Sequence, residues 1–201
     1  MDIKWGEWAR RDILHMYGPW LPSTLVSAIR SKPIREIFII LPATEYQKHF
    51  DAYSSHFFAA PMTALLGPGK SISTCPAFVA PAIDNLARKI YIKESTSTGF
   101  GTFYHEFVHY LQHYDFYPEF YCLGGQNPFL LEGVTEYVTR RTRSEVFKDR
   151  QQRGNYQSHY DKIKGWIGAS QSRHDAMMKL NFQGVKCKDL ETLGGVYPLT
   201  A

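Results

Sequence analysis

Residues 103–111, Phe-Tyr-His-Glu-Phe-Val-His-Tyr-Leu, constrain this chain more than any other stretch. Phe103, Phe107 and Leu111 recur every four residues, and Tyr104 and Val108 widen that surface into the apolar face of a buried amphipathic helix. The same helix must carry His105 and His109 one turn apart on one side, about 6 Å along its axis, with Glu106 beside the first of them. Read as a hydrogen-bonded core pair with an exposed Glu106, these residues would bury two imidazoles and leave an acid beside them at considerable cost. Read as ligands, His105 and His109 converge on one zinc ion and Glu106 reaches a water held by it. In that arrangement the metal brings the water's pKa down towards about 7, and Glu106 accepts its proton as it attacks a carbonyl carbon.

A tetrahedral zinc with one open position needs a third protein ligand. His113 lies eight residues beyond His105, about 12 Å along a helix, too far to share the ion. Asp115 falls six residues after His109, where the metzincins place their last ligand. That geometry needs a glycine three residues after the second His; Gln112 stands there, so the helix is expected to continue. Glu132 follows His109 by 23 positions, and Gly124, Gly125 and Pro128 between them let the chain reverse. A second helix can then bring Glu132 beside the His pair. Glu132 is the favoured ligand and Asp115 the alternative.

Glu132-Gly133 and the string Glu132-Gly133-Val134-Thr135-Glu136-Tyr137-Val138-Thr139-Arg140 carry a resemblance to a known group. With the His-Glu-x-x-His helix before them, they resemble the gluzincin zinc metallopeptidases, and in particular small, mostly bacterial predicted metallopeptidases with an EGxTEYxTR motif. The resemblance spans residues 103–140. It implies that His105, His109 and Glu132 hold Zn2+ and that Glu106 is the general base. It also implies that Glu136, one turn beyond Glu132, hydrogen-bonds a ligating His, whose second ring nitrogen needs such a partner. The strand over 89–93 is similar to the edge strand lining such clefts, along which an extended peptide could pair.

A donor for the tetrahedral oxyanion is still needed. Tyr156, His159, Tyr160, Arg173 and His174 all follow Glu132; by the resemblance, in which a Tyr precedes a helix like 163–167, Tyr160 is the first choice and Tyr156 the second. The basic run Arg140, Arg141, Arg143, Lys148, Arg150 and Arg153 reads as a solvated helix face. Cys75, Cys122 and Cys187 form no CxxC and read as reduced thiols, with Cys75 a remote candidate to cap the zinc in a latent form.

Around this motif the periodicity predicts helices over 3–16 and 23–30, the latter capped by Ser23, and a strand over 36–41 buried on both faces. A helix over 45–57 follows, capped by Thr44 with Tyr46, Phe50 and Tyr53 inward. Strands are expected over 77–80 and 89–93, where Lys89-Ile90-Tyr91-Ile92-Lys93 alternates as a half-exposed or edge strand should. Helices are then expected to about His113, over 129–148, 156–167 and 173–182, with a short one from Lys188. Strands early and helices late make an α+β chain, zincin-like. Its sheet-bearing lobe (1–115) holds the motif helix, its mainly helical lobe (116–201) the third ligand, and a cleft lies between them.

With 15% aromatic and 21% charged residues the 201-residue chain is a folded domain, not a disordered one. A net charge of +4 gives no case for nucleic acid, and the longest apolar stretch, 37–41, is far below the roughly 20 residues of a membrane span. The mixed N-terminal residues do not resemble a secretory signal. The expectation is a soluble monomeric zinc endopeptidase acting on a protein or peptide. It would be cytoplasmic or exported without a cleaved signal. The same chemistry in a delivered bacterial effector or toxin, and a non-catalytic zinc-stabilised binding module, are the alternatives.

Overall fold

The computed structural model describes residues 2–57, 76–80, 82, 84–95, 98–113, 128–146 and 156–184. It has the expected α+β composition: helices α1 (Lys4–Tyr17), α2 (Ser23–Ser31), α3 (Ile34–Ile37) and α4 (Ala43–Phe57) surround the first strand, and α5 (Phe100–Leu111), α6 (Pro128–Val146), α7 (Gln157–Ile167) and α8 (Gln171–Gln183) follow the last. Strands β1 (Phe38–Leu41), β2 (Ala77–Ala80) and β3 (Lys89–Lys93) form one sheet in the order β1-β3-β2. β1 runs parallel to β3 and β2 antiparallel to it.

The strand preceding the motif helix is therefore central, which corrects its reading as an edge. Ile90, Tyr91 and Ile92 are all buried. The alternation misled because Tyr91, on the face that looked polar, lies under α4. There its ring stacks on His49 at 4.6 Å and on Phe78 at 5.2 Å, and Tyr46 and Phe50 complete a second small core. β1 is also shorter and less covered than expected: Glu36 and Ile37 belong to α3, which Pro33 opens, and Ile39, Ile40 and Leu41 are half-buried on an edge strand. Helix starts shift in the same way. Pro22, not Ser23, occupies the N-cap of α2, with no side-chain cap, and Thr44 sits inside the first turn of α4.

The main core is one cluster that takes residues from both halves of the chain: Ile13 and Tyr17 of α1, Phe38, Ile90 and Ile92 of the sheet, Phe103 and Phe107 of α5, Val134 and Val138 of α6, Ile163 of α7 and Met178 of α8. α5 runs through its middle and eleven of its residues are buried. Phe38 packs on Phe103 at 5.3 Å and Phe107 at 5.9 Å. Gly6 makes room for that ring; a Cβ there would lie 2.8 Å from Phe38. α1 is also tied to α5 by polar chemistry, since the Tyr104 hydroxyl donates to buried Asp12 at 2.6 Å.

α5 ends at Leu111, two residues earlier than the periodicity suggests. Gln112 leaves the helix with φ −56° and ψ 140°, an extended conformation open to any residue. The carbonyls freed at this end are met by Arg88, a fully buried guanidinium that donates to His109, Tyr110 and Gln112 at 3.3, 2.9 and 2.5 Å. Asn85, in the 3-10 turn Asn85–Ala87, adds donors to Tyr110 and Gln112. A cation at a helix C-terminus also opposes its dipole. Among the described residues no helix is long and apolar enough to cross a membrane.

Candidate metal centre

α5 and α6 pack against each other so that His105, His109 and Glu132 meet, with ligand atoms within 4.8 Å of one another. His105 Nε2 lies 3.0 Å from Glu132 Oε2, His109 Nε2 lies 3.5 Å from Glu132 Oε1, and the two Nε2 atoms are 3.2 Å apart. Two donors each about 2.0–2.1 Å from a tetrahedral ion are about 3.3 Å from each other, so the three separations leave room for such an ion. Both imidazoles are buried and the Glu132 side chain is 13% exposed. The three residues can hold a metal ion.

Each imidazole is also held from behind. His105 Nδ1 lies 3.1 Å from Glu136 Oε2, and Glu136 is fully buried. An ionised carboxylate only accepts, so His105 carries a proton on Nδ1, which leaves Nε2 as the ring nitrogen that can ligate an ion. The other Glu136 oxygen accepts from Arg140 Nε at 2.8 Å, and Arg140 Nη1 donates to Gln157 Oε1 at 2.7 Å. His109 Nδ1 faces Gln112 Oε1 at 2.8 Å. Burial alone would raise the Glu132 carboxyl; when the two imidazoles are protonated, the charge of His109 and the hydrogen bonds of His105 and His109 outweigh burial and hold the group well below the usual carboxylate range.

Gly133 explains why a glycine follows the Glu. α6 and α7 approach so closely that a Cβ at Gly133 would lie 2.7 Å from Ile163 Cγ1 and 2.8 Å from the His159 carbonyl oxygen. The glycine lets α7 lie against α6, and α7 brings two candidates to the centre. Tyr156, just before α7, has φ 61°, the one non-glycine positive φ among the described residues. That left-handed conformation costs on the order of 1 kcal/mol and is concentrated at functional sites. Its ring lies parallel to the His105 imidazole at 5.4 Å, and His159 meets it edge-on at 5.6 Å. Burial lowers the His159 pKa, against the opposing pull of Glu132.

Tyr160 is placed elsewhere: its ring lies under the Arg140 guanidinium, 4.3 Å from the centroid, and stacks on Tyr137 at 6.4 Å. His174 sits on α8 between Trp20 and Tyr137, and Arg173 donates to the Trp166 carbonyl at 2.8 Å. Glu106 is buried on α5 beside His105. Asp115 and Cys75 lie outside the described residues. The basic run of α6 needs correction in part. Arg141 is exposed, but Arg140 is mostly buried in the network behind Glu136, and Arg143 is buried with its guanidinium over the Phe100 ring at 4.4 Å. Lys148, Arg150 and Arg153 lie outside the described residues.

Gln112, Arg88 and Arg140 are the residues that sequence reasoning did not assign to the site. Arg140 had a signal: it stands four residues after Glu136, the spacing of an i,i+4 ion pair. Comparison of the chain with protein-family models, with curated proteins and with solved structures found no match.

Proposed function

We propose that the protein is a zinc-dependent metallopeptidase of the gluzincin type that cleaves peptide bonds in a protein or peptide substrate. The observation that carries this reading is the meeting of three metal-ligating groups at separations of 3.0, 3.2 and 3.5 Å, on a helix pair that also carries Glu106. With each imidazole protonated on Nδ1, both Nε2 lone pairs and the ionised carboxylate face one point, where a cation would be held. Two nitrogens, one carboxylate and an open fourth position suit zinc. When bound, zinc supplies a Lewis acid that acidifies water and polarises a carbonyl group.

The chain's own residues do the rest. Glu106, adjacent to His105 on the same helix, accepts the proton of the attacking water and passes it to the leaving amine. Glu136, held as a carboxylate by Arg140, keeps His105 in the ligating tautomer. The developing oxyanion is met from the start of α7, where Tyr156 lies beside His105 and His159 beside Tyr156; Tyr160, engaged with Arg140 and Tyr137, is not assigned that part. The substrate enters a cleft between the sheet-bearing and helical halves. It pairs in extended form with β2, the antiparallel edge strand that packs on α5, because both sides of β3 are taken.

The test is Glu106→Gln. Zinc content stays at about one ion per chain, while hydrolysis of an unfolded protein substrate falls by about 10²-fold or more. Full activity in that variant would sink the mechanism. Zinc binding by a wild-type protein that cleaves nothing would favour the zinc-stabilised binding module.

A further inference from the structure

The two imidazoles of the centre are backed by different chemistry. Behind His105 stands a carboxylate; behind His109 stands Gln112, a neutral amide that is fully buried where α5 ends. An amide can present either its oxygen or its NH2 group, so this contact alone does not say which ring nitrogen of His109 carries the proton. The surroundings of Gln112 do. Its Nε2 lies 2.9 Å from Thr135 Oγ1 and 2.9 Å from Asn181 Oδ1. Thr135 has one hydroxyl proton, directed to the Leu131 carbonyl at 2.8 Å, so toward Gln112 its oxygen accepts. With both amide hydrogens engaged by Thr135 and Asn181, only Oε1 is left for His109. Thr135 Oγ1 also lies 3.4 Å from His109 Nδ1, and there too it accepts.

We propose that Gln112 is a positioning residue for the metal centre, fixing His109 with its proton on Nδ1 and its Nε2 lone pair turned to Glu132 and His105. The functional meaning rests on the metallopeptidase reading above, but the tautomer is a property of the protein before any ion binds. The hold is three-sided. The Gln112 backbone is gripped by Arg88 and Asn85, and its side chain is clasped by Thr135 of α6 and Asn181 of α8. Thr135 stands three residues after Glu132, so one turn of α6 supplies both a ligand and the group that orients the opposite ligand. Asn181 brings α8 into this network.

Long-range proton–nitrogen correlation on metal-free, 15N-histidine-labelled protein at about pH 8, where an ordinary imidazole is neutral, reads the tautomer directly. Wild type is expected to show His109 protonated on Nδ1. Gln112→Leu, which keeps bulk but offers no acceptor, is expected to mix the two tautomers and weaken zinc binding, measured by chelator competition, by about 10–100-fold. Gln112→Glu keeps an acceptor for His109 while losing both donors. It is expected to unfold at a lower denaturant concentration than wild type yet keep the Nδ1 proton and bind zinc within a few-fold of it. His109 protonated on Nε2 in wild type overturns the proposal, and so does a zinc affinity that falls in both variants in step with their stability. If Gln112→Leu does not fold, the wild-type spectrum and Gln112→Glu still decide. A wild-type protein with the Nδ1 proton in place and no affinity for zinc supports the tautomer assignment and overturns the metal reading instead.

Discussion

Gly133 shows how one missing side chain can serve a site it does not touch. Its neighbour Glu132 is one of the three groups that could hold an ion, and its own Cα faces the His159 carbonyl and Ile163. Neither is the free end of a flexible side chain, so Gly133→Ala must push α7 away from α6. Overpacking of this kind costs about 1–3 kcal/mol, which the roughly 1 kcal/mol that alanine gains over glycine inside a helix offsets only in part. The expected result is a lower urea midpoint, together with a loss of the proposed peptidase activity as Tyr156 moves from His105. A midpoint raised by the substitution would show that α7 does not lie where the structure has it. The meeting of His105, His109 and Glu132 was legible in the sequence because motif spacing is a helix-face argument: four residues for the His pair, and a Gly- and Pro-bearing reversal before Glu132. Gln112 and Arg140 were not. A Gln at a helix end and an Arg in a basic run look like solvent-facing residues until the carbonyl, carboxylate and amide groups around them are placed.

The motif helix α5 is the element on which most of the structure converges, and it carries a pH signature of its own. Tyr104 and Tyr110 flank the His pair and are both fully buried. Burial pushes the Tyr110 hydroxyl up to about 12, although Arg88 pulls the other way. Burial, then the hydrogen bond to Asp12, raises that of Tyr104 as well. Both are weak acids whose folded values lie above the ordinary one near 10, so the folded chain binds their protons more tightly than the unfolded chain. Their contribution is complete below about pH 10 and is lost as the pH climbs through the folded values. Urea midpoints are therefore expected to fall steadily above about pH 10, and Tyr110→Phe to soften that fall. Absorbance at the tyrosinate band should show the two groups ionising with unfolding; free titration of all 13 tyrosines at pH 10 would contradict their burial. At this scale the sequence was readable for most helices, whose periodicity survives in isolation, and less so for the sheet. The place of β3 depends on α4 covering Tyr91, a contact between segments that no local pattern contains.

Across the whole molecule the candidate metal centre would act as a bridge. His105 and His109 come from α5, packed on α1 and the sheet, while Glu132 comes from α6, packed on α7; an ion held by all three joins the earlier and later parts of the chain. An unfolded chain cannot bring together ligands separated by 27 residues without a large loss of entropy, so the ion binds the folded state almost alone. At a free zinc concentration 100 times Kd, linkage then adds about 2.7 kcal/mol to the unfolding free energy, and a chelator removes it. Urea unfolding with and without zinc measures this directly. It also separates the two carboxylates considered for the third position. If Glu132 is the ligand, Glu132→Ala loses most of the zinc-dependent shift, because two imidazoles alone hold the ion weakly, while Asp115→Ala keeps it. The reverse pattern would mean that the chain beyond α5 turns back to supply Asp115 and that Glu132 serves only to balance the charge of two buried imidazoles. An equal shift in both variants would place the ion away from this cluster altogether. The zinc-dependent increment itself, absent in wild type, would remove the ground for reading the centre as a metal site, whatever its geometry.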